Sequence, residues 1–245
     1  MKTSAICIIL LAITAGAIPA SAGVMFTDST FNLANYSPSP TYTSDPSASI
    51  AYTSFAGTLQ FTSTFTAPGN PPSYTVAQGL ANVTFTYDPL TQGAIVGIDA
   101  SALKNHITNF VASGLFNIFH PAIEQDGVFY VATIPGATFN GPNEPNGTGF
   151  LLFSQDDLQA SDFGSYNFTT GTLGATHPNF SGDPLTLGIA EISTVTIAQT
   201  GDGINQYRDL SFDVLQTPEP TSLATLTAAL VFFSTLCCRR VTRTV

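Results

Sequence analysis

The sequence predicts an all-β protein, an antiparallel sandwich or jelly roll, with an N-terminal signal helix and a C-terminal transmembrane helix. Two observations predict the sandwich: short runs in which apolar and polar residues alternate, and clusters of Gly, Pro and Asn between those runs. A third observation, one uncharged apolar segment near each end of the 245 residues, predicts the two helices. Residues 23–216 are therefore expected to form one β-sandwich domain.

Seven segments carry the strand pattern, at residues 50–65, 82–87, 94–100, 127–134, 149–153, 185–199 and 207–215. Within residues 82–87, alternation predicts that Val83, Phe85 and Tyr87 are buried on one face. Turn chemistry predicts loops at residues 68–72, 135–136, 140–143 and 201–203. A helix is predicted at residues 101–110, and a helical turn capped by Ser154 at residues 154–158.

Composition argues against nucleic-acid binding and against disorder. The chain has 6 Lys and Arg against 16 Asp and Glu, a net charge of -10, whereas nucleic acids are bound through clustered cations. With 44% hydrophobic and 11% aromatic residues, the chain can bury a core. The three cysteines, Cys7, Cys237 and Cys238, lie near the ends, so no disulfide is predicted in the central domain.

The first 22 residues have the pattern of a secretory signal peptide. Lys2 supplies a positive charge, and the uncharged apolar run 5–18 is shorter than the roughly 20 residues that a membrane-spanning helix needs. Ala20 and Ala22 form an A-x-A site for signal peptidase. The exported chain is therefore expected to begin at Gly23, and the alternative is an N-terminal transmembrane helix.

The last segment, residues 217–245, has three consecutive parts. They are the motif Pro218-Glu219-Pro220, the uncharged apolar segment 223–238, and the basic end 239–245 with Arg239, Arg240 and Arg243. The apolar segment would extend roughly 24 Å as a helix, less than a hydrocarbon core of about 30 Å. We expect a weak membrane span whose arginines remain cytoplasmic, which places the large domain outside.

This order of motif, hydrophobic helix and basic end resembles the PEP-CTERM sorting tail of exported bacterial proteins, a tail that also carries a name taken from ice-binding proteins. The resemblance implies that an exosortase processes an inner-membrane-anchored intermediate near Pro218-Glu219-Pro220. It also implies an association with exopolysaccharide and biofilm matrix. The favoured hypothesis is therefore an exported, non-enzymatic surface or extracellular-matrix protein. An ordinary single-span anchor is the alternative.

Three blocks of the central domain carry a second resemblance, at residues 87–95, 156–163 and 177–185. They resemble uncharacterised PEP-CTERM ectodomains, which are similar to laminin-G or concanavalin-like sandwiches. This resemblance implies the fold and supplies no catalytic residues.

Motifs of known enzyme classes are missing from the sequence, and its three histidines, at 106, 120 and 177, lack metal-ligand spacing. A glycoside hydrolase on the same fold is one alternative, because two carboxylates held about 5 to 10 Å apart suffice for that chemistry. Glu124 with Asp126, or Glu191, are the candidate carboxylates.

A lectin-like module that binds carbohydrate or calcium is the other alternative. Two clusters offer the oxygen ligands that calcium prefers, Asp156, Asp157 and Asp162 or Asp202, Asn205 and Asp209, although caps and turns explain the same residues. No other cofactor is expected. Because Trp is absent, seven tyrosines are the candidates for stacking on sugar rings: Tyr36, Tyr42, Tyr52, Tyr74, Tyr130, Tyr166 and Tyr207.

Overall fold

A computed structural model describes residues 23–66, 74–108, 115–117, 120–133, 149–195 and 200–217. Several predicted features lie outside these residues. At the two ends they are the signal peptide with Ala20 and Ala22, the motif 218–220, the apolar segment 223–238 and the arginines at 239, 240 and 243. Within the central domain they are the turns predicted at 68–72, 135–136 and 140–143. Across the described ranges, no helix has the length and apolar character needed to cross a membrane.

Fifteen strands account for most of the described chain. In chain order they are β1 (Gly23–Asp28), β2 (Tyr36–Pro38), β3 (Tyr42–Thr43), β4 (Ala48–Phe55), β5 (Thr58–Phe65), β6 (Tyr74–Tyr87), β7 (Ile95–Thr108), β8 (Leu115–Asn117), β9 (His120–Gln125), β10 (Val128–Ala132), β11 (Leu151–Leu158), β12 (Phe163–Asn167), β13 (Thr172–Leu173), β14 (Leu185–Val195) and β15 (Gly201–Gln216). One α-helical turn, α1 (Pro89–Gln92), and two 3-10 turns, Leu33–Asn35 and Ala160–Asp162, complete the elements.

The strands form two antiparallel sheets. A six-stranded sheet has the order β11-β7-β15-β5-β4, with β1 also paired to β15. A nine-stranded sheet has the order β13-β12-β10-β9-β14-β6-β2, with β3 paired to β6 and β8 paired to β14. The all-β, antiparallel sandwich predicted from alternation is confirmed.

Aromatic side chains fill the space between the sheets. Phe61 and Tyr207, both from the six-stranded sheet, are fully buried and meet edge to face with ring centroids 6.0 Å apart. Phe85 of the nine-stranded sheet meets Phe212 of the opposite sheet at 6.3 Å. Each such ring removes roughly 150–250 Å² from water, so the core is large enough without a disulfide.

A bulge alters the face pattern predicted for residues 82–87. Thr86 pairs with Thr186, whereas Ala81 pairs with Gly188, so β6 contains more residues than β14 between these pairs. The extra residues reverse the alternation, and Val83, predicted to be buried, is 53% exposed, whereas Asn82 is buried. The buried positions predicted for Phe85 and Tyr87 are confirmed.

The helix predicted at residues 101–110 is wrong, because residues 101–108 belong to β7, while residues 109 and 110 lie outside the described residues. Its inward-facing positions include Lys104 and His106, whose polarity hid the alternation. The helical turn predicted at residues 154–158 is also wrong: these residues extend β11, which pairs with β7. The turn predicted at residues 201–203 instead forms the first pairs of β15 with β5.

Gly188 offers a test of the close approach between β14 and β6 at the bulge. A Cβ atom at Gly188 would collide with the carbonyl oxygen of Leu80 and lie 2.8 Å from Ala81 Cα, and backbone atoms cannot move aside cheaply. We expect Gly188→Ala to lower the free energy of unfolding by about 2–4 kcal/mol, measured by urea denaturation. Gly203→Ala is the matched control, since nothing lies within 4 Å of its added Cβ. Equal stability of the two variants would contradict this packing.

Candidate functional site

A groove of about 440 Å³ lies on the outer face of the nine-stranded sheet, where β10, β12 and β13 meet. The sheet places it there because alternate residues of each strand point away from the sandwich interior. On β14, Ile189 belongs to the interior core, whereas Ala190 belongs to a separate apolar cluster with Tyr166 and Phe168. This second cluster is the floor under the groove.

Three aromatic side chains form the groove floor. Tyr166 and Phe168 meet at a centroid distance of 4.7 Å, and Phe168 meets Phe129 edge to face at 5.5 Å. Tyr166 and Phe168 are buried, whereas Phe129 is half-buried and offers the most accessible ring. A Cβ at Gly79 of β6 would lie 3.0 Å from both phenylalanine rings, so the floor packs directly on the backbone there.

The rim of the groove is polar. Asn167, at the end of β12, accepts hydrogen bonds through Oδ1 from the backbone amides of Thr169 and Thr170, at 2.8 and 3.1 Å, which fixes the turn that follows the strand. The side chains with amide or hydroxyl groups among the residues that line the groove are Asn167, Ser165, Thr169, Thr172 and Thr176. Among the described residues that line it, none carries a charge.

Two tyrosines, Tyr166 and Tyr42, lie next to each other at the floor. Burial raises the pKa of Tyr166 to about 12, with a smaller contribution from neighbouring Tyr42, so its hydroxyl stays protonated at neutral pH. Tyr42 packs under the turn at Gly171, whose φ of +67° and contact with the Tyr42 ring leave no room for a side chain.

A second concentration of polar side chains lies inside the sandwich. Glu191 of β14 is completely buried, and its Oε1 accepts hydrogen bonds from Ser193 Oγ at 2.5 Å and Asn205 Nδ2 at 2.7 Å. Its Oε2 accepts from the Tyr207 hydroxyl at 2.8 Å. Lys104 of β7, 1% exposed, completes this interlayer cluster, and its Nζ lies 5.4 Å from the centroid of the Phe153 ring.

The interior environment shifts the titration of this cluster. Burial raises the pKa of Glu191, although the charge of Lys104 and the three hydrogen bonds act against that rise. Burial lowers the pKa of His106 to about 4, opposed by its hydrogen bond to Asn205 and assisted by the charge of Lys104. Burial also lowers the pKa of His120, whose Nδ1 lies 2.8 Å from the Ala132 carbonyl oxygen.

The candidate carboxylates for hydrolysis are not brought together in the groove. Glu191 lies between the sheets, Glu124 lies on β9, and Asp126 occupies the following turn with a φ of +54°. His177 lies far along the chain from the other histidines, with Nδ1 2.6 Å from the Phe163 carbonyl oxygen.

The two calcium candidate clusters occupy strands and a short turn. Asp156 and Asp157 are exposed on β11, while Asp162 caps the turn Ala160–Asp162 by accepting from the Gln159 amide at 2.7 Å. Along β15, Asp202 is half-buried, Asn205 faces the interior and Asp209 is exposed at a φ of +49°. Within the described part of the chain, no group of three or more His, Cys, Asp or Glu side chains is placed to hold a metal ion.

A smaller hollow of about 240 Å³ lies on the outer face of the six-stranded sheet. It brings Asp156 together with Asp99 and Asp213, and with the serines at 101, 154 and 211. Asp99 Oδ1 accepts a hydrogen bond from the Asp157 amide at 2.6 Å, so this oxygen already has a partner at the bulge in β11.

Of the seven candidate tyrosines, Tyr166 lines the groove, whereas Tyr36, Tyr74 and Tyr207 are buried. Phe129 and Phe168 were not among the candidates from the sequence, because most phenylalanines are expected in the core. The available signal was the sequence Tyr166-Asn167-Phe168 directly before a Thr- and Gly-rich turn, which pairs aromatic rings with polar donors.

The fold and groove define a β-sandwich with an aromatic surface site. No family model and no curated protein matches the chain. Among solved structures, the chain is distantly similar to CtCBM11 (12% identity, TM-score 0.37, 83% of this chain and 99% of that one) and to a xylan-binding module, CBM15 (10%, 0.32, 80% and 100%). A third similar structure is TmCBM27, a carbohydrate-binding module described for specific mannan recognition (12%, 0.35, 79% and 97%).

The depressed pKa of His106 predicts a stability that falls in mild acid. Above its ordinary pKa of 6.5 the histidine is neutral in both the folded and the unfolded state. Between pH 6.5 and about pH 4 it is protonated in the unfolded chain and neutral in the folded chain. We expect this histidine to cost about 2 kcal/mol of unfolding free energy between pH 7 and pH 5.

Denaturation at a series of pH values measures this dependence. His106→Gln should flatten it, because glutamine keeps a donor for Asn205 and does not titrate. His177→Gln, the same exchange at an exposed position, is the control for the substitution itself. A His106→Gln profile as steep as that of the unaltered protein would contradict the assignment.

Proposed function

We propose that this protein is an exported, non-enzymatic carbohydrate-binding β-sandwich whose groove holds an uncharged segment of polysaccharide. The observation that carries the proposal is the aromatic floor of Phe129, Tyr166 and Phe168 beneath an uncharged rim of amide and hydroxyl groups. Sugar rings present C–H faces that pack on aromatic rings, and their hydroxyls exchange hydrogen bonds with neutral amides and hydroxyls.

The groove has the dimensions of a binding site. Its volume of about 440 Å³ lies within the range of about 300–1,000 Å³ usual for small-ligand sites. Because it opens on the outer face of a sheet, a polysaccharide can lie across it without its ends entering the protein. The fixed turn at Asn167 and the packed floor supply a preorganised surface, which limits the entropy lost on binding.

The uncharged lining of the groove supports the proposal of binding without hydrolysis. Glycoside hydrolysis uses a pair of carboxylates flanking the scissile bond, and no described residue lining the groove is acidic. An uncharged rim also favours a neutral glycan, since a charged one would lose hydration without gaining an ionic partner.

Export and sorting form the second part of the proposal. Gly23, the first residue that the structure describes, follows the predicted signal-peptidase site, and it pairs with Leu215 just before the motif Pro218-Glu219-Pro220. The two predicted cleavage sites therefore lie at the same end of the β1 and β15 pair. Cleavage at either site would leave every described strand intact. An exosortase acting at the motif would deliver the folded domain to the exopolysaccharide matrix.

The groove can be tested by removing its accessible ring. Phe129→Ala should weaken binding of a neutral polysaccharide at least tenfold, because the sugar ring loses the aromatic face on which it packs. Such a loss typically costs more than about 1.4 kcal/mol of binding free energy. Isothermal titration against neutral and acidic polysaccharides, each with and without Ca²⁺, measures the effect. Phe55→Ala, which removes an exposed phenylalanine on β4, is the matched control.

We expect binding to be independent of Ca²⁺. Binding that requires Ca²⁺ would favour the calcium-dependent lectin alternative, and equal affinities of Phe129→Ala and Phe55→Ala would remove the groove from the proposal.

The sorting tail has its own test. Replacing Pro218, Glu219 and Pro220 by alanine should leave the protein in the inner membrane, because the apolar segment and arginines still halt translocation while the processing enzyme loses its motif. Cell fractionation followed by immunoblotting measures retention. Alanine at Thr221 and Ser222 is the control, and unchanged release of the motif variant would contradict exosortase processing.

A further inference from the structure

The interlayer cluster holds a buried amine and a buried carboxamide on adjacent strands. Lys104 on β7 pairs with Tyr207 on the adjacent strand β15, and Asn205 lies two residues before Tyr207 on the same face. Both side chains are 1% exposed. Alternate residues of paired strands point to the same side, so the lysine and the asparagine are diagonal neighbours across β7 and β15.

The Asn205 carboxamide is held at both of its polar atoms. Its Nδ2 donates to Glu191 Oε1 at 2.7 Å, and its Oδ1 lies 2.8 Å from His106 Nδ1. Because a carboxylate only accepts, the amide NH2 faces Glu191 and its carbonyl oxygen faces the histidine. His106, neutral at physiological pH, therefore donates from Nδ1 to the carbonyl oxygen and withdraws electron density from Cγ.

Glu191 is placed to move protons between the two partners. It contacts the departing nitrogen of Asn205, and the charge of Lys104 acts on its titration. Burial disfavours the charged forms of both an amine and a carboxylic acid. Transfer of one proton from the lysine ammonium to the glutamate removes both buried charges and leaves a nucleophilic amine.

We propose that Lys104 and Asn205 become joined by an intramolecular amide bond between Nζ and Cγ, with Glu191 as the proton shuttle. The neutral Nζ attacks Cγ, and the carbonyl electron pair moves onto Oδ1, which the hydrogen bond from His106 stabilises. Glu191 then delivers a proton to Nδ2, the Cγ–Nδ2 bond breaks, and the carbonyl re-forms. Nζ loses its remaining extra proton to the glutamate, so one ammonia leaves and no oxidant or cofactor is consumed.

The surroundings favour this chemistry over a simple ion pair. An ion pair buried between sheets must overcome the desolvation of two charges, and a neutral amide carries neither. The Phe153 ring beside Nζ and the Tyr207 ring packed against Phe61 keep bulk water away from the reacting atoms. The bond would tie two central strands of the six-stranded sheet in a domain without cysteine.

Trypsin digestion of the denatured, full-length protein followed by mass spectrometry tests the bond directly. Between residues 23 and 216 trypsin has only two cleavage sites, after Lys104 and after Arg208, and it does not cleave after an acylated lysine. The linked chain should give one peptide ending at Arg208, lighter than its sequence mass by one ammonia, with fragment ions joining Lys104 to Asn205. Complete cleavage after Lys104, or blocked cleavage without loss of ammonia, would overturn the proposal.

Two substitutions assign the roles. Asn205→Asp keeps the carbonyl but changes the leaving group, so the linked peptide should now be lighter by one water instead of one ammonia. Glu191→Gln should restore cleavage after Lys104, whereas Glu124→Gln, on the neighbouring strand β9, should leave the link intact. A link that persists in Glu191→Gln would overturn the shuttle, and a bond from Lys104 to any residue other than Asn205 would overturn the whole assignment.

Discussion

The sandwich depends on the hydrogen bonds that the Glu191 carboxyl group, buried between the two sheets, accepts from the opposite sheet. An unpartnered carboxylate in the interior would cost several kcal/mol. Here the nine-stranded sheet supplies the acid, and the opposite sheet supplies Asn205 and Tyr207 as donors at 2.7 and 2.8 Å. Hydrogen bonds require closer alignment than apolar contacts do, so this one group fixes how the sheets lie against each other.

The same strand connects the interior to the surface site. Along β14, Glu191 and Ser193 point inward, whereas Ala190 and Ile192 point outward and pack under the aromatic cluster of the groove. Ala190 on β14 and Gly79 on the neighbouring strand β6 are small, so Phe168 lies close to the sheet, and the inward acid holds the strand in place. The interlayer cluster therefore fixes the position of β14, and β14 in turn supports the floor of the groove.

The sequence predicted the fold class because Thr and Phe alternation reports half-buried strands. It misassigned β7, since an inward Lys104 is a residue that pattern reading expects on the surface, and its partner Glu191 lies 87 positions away in a different sheet. The groove itself was not predicted, and of its aromatic residues only Tyr166 was among the candidates for stacking on sugar rings. Its other rings, Phe129 and Phe168, converge from separate strands and loops, which alternation within one segment cannot reveal.

The most direct measurement of the interlayer contact is the unfolding free energy of Tyr207→Phe. This change removes the hydroxyl that donates to Glu191 Oε2 and leaves the ring packed on Phe61. The account predicts a loss of about 1–3 kcal/mol, because a buried carboxyl oxygen is left without a donor. Tyr52→Phe, which alters a half-buried hydroxyl on β4, should change stability by less than about 0.5 kcal/mol. Equal stabilities of the two variants would contradict the account.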